Sequence, residues 1–98
     1  MANAKTLWTE LAASDLDQIE SLIFEDNPDA ALQQVIRIID VVETYIADRP
    51  RMGKPGRIDG TRELAVSGTP YIIMYRLFHQ NLEILRVLHG ARQWPEEI

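Results

Sequence analysis

Three apolar runs, residues 62–66, 71–78 and 82–89, crowd the last third of the chain. Ser67-Gly68-Thr69-Pro70 separates the first two, and His79-Gln80-Asn81 separates the last two. Gly and Pro interrupt regular backbone, whereas Ile, Val, Leu and Tyr suit a pleated surface. The pattern therefore predicts an antiparallel meander. The middle run is apolar on both alternations, with Ile73, Tyr75 and Leu77 on one and Ile72, Met74 and Phe78 on the other. A central strand covered on both faces has that pattern, so the rest of the chain must supply a cover.

The front half supplies helices. Residues 6–11 fit a short first strand. Ala12, Leu16, Ile19, Leu22 and Ile23 then repeat at helical spacing. Ser14, Asp15 and Asp17 lie early in this helix, where negative charge suits the helix dipole. Glu25-Asp26-Asn27 ends it. Asn27-Pro28 opens a second helix, with Asn as cap, Pro at the first helical position and Asp29 beside them. This helix should run to about Asp48, before Arg49-Pro50. So tight a link predicts an antiparallel hairpin.

The second helix is apolar over most of its circumference. At 100° steps, Leu32, Val35, Ile36, Ile39, Val42 and Ile46 form one stripe, and Ala31, Ile38, Val41 and Tyr45 widen it. A surface helix needs a stripe of roughly 100°, and this one covers about twice that. Val35, Ile39, Val42 and Ile46 are expected to face the sheet near Ile73 and Tyr75. Ile38, Val41 and Tyr45 are the expected partner surface.

Residues 49–60 (RPRMGKPGRIDG) read as a loop, too rich in Pro and Gly for regular structure. Arg49, Arg51, Lys54 and Arg57 either meet an anionic partner or solubilise the loop. The GxxxxGK[ST] spacing of a phosphate-binding loop is absent. The order strand, two helices, loop, three strands predicts one α+β domain over residues 1–98, with a helical hairpin on one face of a small sheet.

Charge sharpens this picture. Residues 1–50 hold three basic and ten acidic side chains, a net of −7, and residues 51–98 hold seven and five, a net of +2, for −5 in all. Two faces with different partners are one reading; solvated helix faces followed by strand-edge arginines are the other. There is no cysteine and only two histidines, so neither a disulfide nor a dedicated metal site is expected. No membrane span or signal peptide is legible, and a cytoplasmic protein without cofactors is expected.

Motifs for chemistry are scarce. There is no nucleophile elbow, HExxH or paired-carboxylate pattern. One set is suggestive: Arg62, Arg86, His89 and Arg92 lie in or just after the meander, and arginines beside a histidine suit a phosphodiester and a proton transfer. The structural alternative has Arg62 and Arg86 pair with Glu63 and Glu83 or snorkel, and makes the histidine a hydrogen-bonded strand end. The end of the chain, residues 89–95, combines aromatic and basic character between Gly90 and Pro95. Trp and Arg are the side chains that most often carry interface energy, so His89, Arg92 and Trp94 are expected target contacts. For Trp94 the alternative is a core position against Trp8 and the first strand.

Three motifs in order carry a family resemblance: Trp8-Thr9, Ala12, Asp15-Leu16 and Ile19 (WTxxAxxDLxxI); Gly60-Thr61-Arg62-Glu63-Leu64; and residues 71–75 followed by LRVLHGARQWP, residues 85–95. The chain resembles the RelE/ParE superfamily of toxins from bacterial type II toxin–antitoxin modules, in particular its ParE branch. The resemblance implies a helical hairpin against a small curved antiparallel sheet, with the first strand joined to the meander. It also implies a toxin held in a hetero-oligomer by a ParD-like antitoxin whose helical C-terminal segment wraps it.

ParE-like toxins poison DNA gyrase by binding, arrest growth and stabilise plasmids; RelE-like toxins cut messenger RNA on the ribosome. In the ribonuclease reading Arg62, His89 and Arg92 are the catalytic candidates. However, Ala65 stands where such a ribonuclease carries an arginine, and the chain ends Glu96-Glu97-Ile98 without a tyrosine. These departures favour the gyrase-binding reading, with no catalytic residue and no sequence-specific nucleic-acid contact. An attenuated module that only binds antitoxin is the third reading.

Overall fold

The meander forms over β3 (Arg62–Ala65), β4 (Tyr71–Phe78) and β5 (Asn81–His89), each antiparallel to the next. The structure, a computed structural model, describes residues 5–91, 94 and 95. Two further strands complete a five-stranded sheet in the order β1-β5-β4-β3-β2. β1 (Thr6–Trp8) pairs with β5 in parallel, so the sheet is mixed and not wholly antiparallel. Its direction follows from the crossover: the chain passes through both helices before returning, as a parallel pair requires. β2 (Lys54–Pro55) pairs with β3 inside the segment expected to be irregular. Pro55 is tolerated there because β2 is an edge strand.

The helices begin at polar caps. Thr9 accepts a hydrogen bond from the Ala12 amide through its hydroxyl oxygen and starts α1 (Glu10–Phe24), so the first strand stops at Trp8 and not at residue 11. Asn27 caps α2 (Pro28–Asp40) in the same way through Ala30, with Pro28 in the first turn. Beyond Asp40 the helix widens into a π-helical stretch, Val41–Ile46, closed by the bond from the Ala47 amide to the Val42 carbonyl. No described helix is long and apolar enough to cross a membrane.

The sheet is covered on both faces. On one, Ile38, Val42 and Ile46 of the second helix and Ala12 and Ile19 of α1 pack on Ile73, Tyr75, Ile84 and Val87. On the other, Met74 and Leu85 are covered by Trp94, with Ile58 at the margin. The inward face of the second helix differs from expectation. Ile38 is fully buried and Val41 is 9% exposed, so neither is a partner surface, whereas Leu32 and Ile36, expected inside, are each 55% exposed. Val35, Val42 and Ile46 do join the core; Ile39 is only half-buried, and Tyr45 is exposed as expected.

Candidate functional site

β1 is three residues long and pairs with residues 82–84 of β5, which leaves the rest of that edge of β5 without a strand partner. The start of α1 takes over. The Thr9 hydroxyl donates to the Leu85 carbonyl, and Asp15 accepts the Val87 amide at 2.9 Å. Asp15 is 7% exposed and also receives two bonds from Arg86, Nε at 2.8 Å and Nη2 at 2.9 Å. These bonds hold the guanidinium proton above its ordinary pKa, against the opposing effect of burial. Arg86 therefore serves the fold, and through Asp15 instead of the expected Glu83, which pairs with Arg76.

Arg62 has a comparable task at the other end of the sheet. Its Nη1 donates to the carbonyls of Gly53 and Arg51, tying the 49–53 segment down, and it does not pair with Glu63. Beside it, the buried Tyr75 hydroxyl donates to the Pro50 carbonyl and accepts the Gly53 amide, at 2.7 and 2.8 Å. Burial, the largest influence, pushes the Tyr75 pKa up; the Gly53 bond and nearby Arg62 oppose it. Gly53 must lack a side chain, because a Cβ there would lie 2.6 Å from that hydroxyl.

Glu63, 2% exposed, accepts the Arg57 amide at 2.7 Å and lies 3.5 Å from its Nε. The Arg57 guanidinium in turn stacks 3.8 Å above the centre of the Trp94 ring. Trp94 is 9% exposed and donates from Nε1 to the His89 carbonyl. It is thus a core residue, as the alternative reading had it, but on the sheet face remote from the helices and not against Trp8. His89 sits edge-on to Tyr71 and accepts the Ala91 amide at Nδ1. Arg92 lies outside the described residues.

Of the suggestive basic set, Arg86 and His89 line one groove beside Asp15, but Arg62 lies apart from them. Arg62 lies opposite Tyr75, and His89 lies opposite Tyr71, four residues away along β4. At ~3.3 Å per residue that is roughly 13 Å. Arg86 is committed to Asp15. Sequence reasoning missed Asp15, Thr9, Arg57 and Tyr75 as organising residues. The one available signal was the position of Asp15 on the α1 face otherwise formed by Ala12 and Ile19. Among the described residues no group of three His, Asp or Glu is placed to hold a metal ion.

Several large apolar side chains are accessible. Leu32 and Ile36 stand on the outer face of α2, and Leu11 and Leu22 are exposed on α1. Tyr45, Met52, Leu77 and Phe78 are exposed where the second helix, the 49–53 segment and the end of β4 meet. A groove of about 230 Å³ runs between α1 and β5 past Gln18, Leu22 and His89.

Residues 6–94 match the family model described as ParE toxin of type II toxin-antitoxin system, parDE. "Putative toxin Y4kP" of Sinorhizobium fredii is 44% identical over 96 residues, 98% of each chain. Toxin RelE2 of Caulobacter vibrioides is 32% identical over 89 residues, 91% of this chain and 98% of that one. A solved structure of the chromosomal ParDE system from P. aeruginosa superimposes with a TM-score of 0.82 at 27% identity, covering 89% of this chain and 96% of that one. The RelBE2 toxin–antitoxin complex of Mycobacterium tuberculosis gives 0.65 at 25% identity, covering 94% and 97%. With a family model spanning nearly its whole length and a full-length relative well above 30% identity, the chain belongs to the ParE toxin family of type II toxin–antitoxin systems.

Proposed function

We propose that this toxin arrests growth by binding DNA gyrase, without chemistry of its own, and that a ParD-like antitoxin restrains it. The observation that supports binding over cleavage is the fate of two described arginines of the suggestive set: Arg86 is spent on Asp15, and Arg62 is spent on two backbone carbonyls four positions along β4 from His89. A phosphodiester needs free guanidinium groups converging on one point. The solved ParDE system and the RelBE2 complex support an antitoxin partner for this chain. Its helical segment has a fitting surface in Leu32 and Ile36, one turn apart and both exposed, with Tyr45 further along the same helix. His89, at the end of β5, and Arg92 are the proposed target contacts.

The test is induced expression in bacteria with purified protein in parallel. The wild type should stop growth, inhibit gyrase supercoiling and leave ribosome-bound message intact. Arg92→Ala should lose growth arrest while keeping its fold and antitoxin. Cleavage of message with gyrase unaffected would establish the ribonuclease alternative, which the RelE2 relative keeps in view.

A further inference from the structure

Two hollows meet at the end of the sheet opposite His89. One, of about 510 Å³, is lined by Arg49, Pro50, Arg51, Met52 and Leu77. The other, of about 360 Å³, reaches Tyr45 and shares Arg49 and Met52 with the first. Together they make one groove from β4 to the second helix. Its apolar walls are open: Tyr45 is 54%, Met52 44% and Leu77 42% exposed. The groove is also built and held in place. Tyr75 and Arg62 fix the 49–53 segment from below through Pro50, Gly53 and Arg51.

Charge selects the occupant. The Leu77 hollow has two arginines and no carboxylate in its lining, in a chain whose first 50 residues carry a net of −7. Asp48, at the Tyr45 end, lies 4.0 Å from Arg49 and is 79% exposed, a pairing too solvated to neutralise it. A polyanion such as duplex DNA is disfavoured by the overall charge of −5, since phosphate binding draws on many cations at once. An aliphatic hollow beside two guanidinium groups fits an apolar side chain flanked by carboxylates. We infer that the groove over Met52 and Leu77, flanked by Arg49 and Arg51, docks an acidic, apolar-anchored segment of the target protein. This rests on the reading that the toxin acts by binding a protein target, and it holds whether or not that target is gyrase.

The experiment pairs Arg49→Glu and Leu77→Glu, singly and together, with Leu77→Met as the conservative control. Thermal unfolding and circular dichroism establish that each variant is folded. Growth arrest reads the groove irrespective of target, and supercoiling inhibition reads gyrase. The double variant should lose growth arrest, with at least a roughly tenfold weaker effect on the target, while Leu77→Met behaves as the wild type. If the wild type arrests growth without touching gyrase and the double variant does not arrest, the groove stands and the gyrase reading falls. Folded glutamate variants that arrest growth like the wild type overturn the groove, as does a wild type that arrests nothing. Duplex DNA bound at physiological salt through Arg49 and Arg51 would overturn the protein occupant in favour of nucleic acid.

Discussion

Asp15 ties α1 to β5 through three accepted hydrogen bonds. It neutralises Arg86 and closes the β5 edge at Val87 from a position 7% exposed. Asp15→Ala strands a largely buried guanidinium and an amide together, and should cost about 3–5 kcal/mol; urea denaturation measures it. Asp15→Asn keeps an acceptor for Val87 and should cost less. Trp94→Ala removes the main cover of Met74 and Leu85 and should lower stability by about 3–5 kcal/mol, again read from denaturant curves. Tyr75 links stability to pH. Its folded pKa lies above its ordinary value, so the unfolded chain releases that proton first. The stabilisation is complete below the ordinary tyrosine pKa and declines as pH rises through the folded value. Alkaline titration of stability should show this fall in the wild type and a smaller one in Tyr75→Phe.

At the scale of elements, the strand pattern was plainly legible and the helix rotation was not. β4 and β5 lie where alternation put them, because both faces of β4 are apolar and the breaks are unambiguous. The second helix is apolar on so much of its circumference that periodicity cannot choose its inner face. The core takes Ala31, Ile38, Val42 and Ile46 and leaves Leu32 and Ile36 outside. The errors fall at Leu32, Ile36 and Ile38, before the π-helical turn, so the turn is not their cause. The parallel placement of β1 depends on the whole topology. The ion pairs were illegible for another reason: Asp15 and Arg86 are 71 positions apart, and neighbouring acids such as Glu83 and Glu63 looked the natural partners. The corrected rotation has a direct test. Ile38→Ala should cost about 2–5 kcal/mol, whereas Ile36→Ala should stay within about 0.5 kcal/mol, with melting temperatures as the readout. The β4–β5 turn yields another: Gln80→Gly should stabilise the protein by up to about 1 kcal/mol, because glycine adopts its φ of 66° without steric cost.

The whole molecule is closed by its ends. β1 lies against β5, and the start of α1 completes the β5 edge, so the first residues of the domain depend on nearly the last. A chain cut after β4 should therefore fail to fold and lack a melting transition, despite retaining both helices. The same closure governs how the protein comes into being. Synthesis delivers the helical hairpin first, with Ile38, Val42 and Ile46 uncovered, while the strand that anchors β1 is still to be made. Until β5 emerges, neither the groove over Leu77 nor the tail beyond His89 has a scaffold beneath it. The surfaces proposed to meet a partner are thus assembled late, after the helical hairpin and β4 have been made.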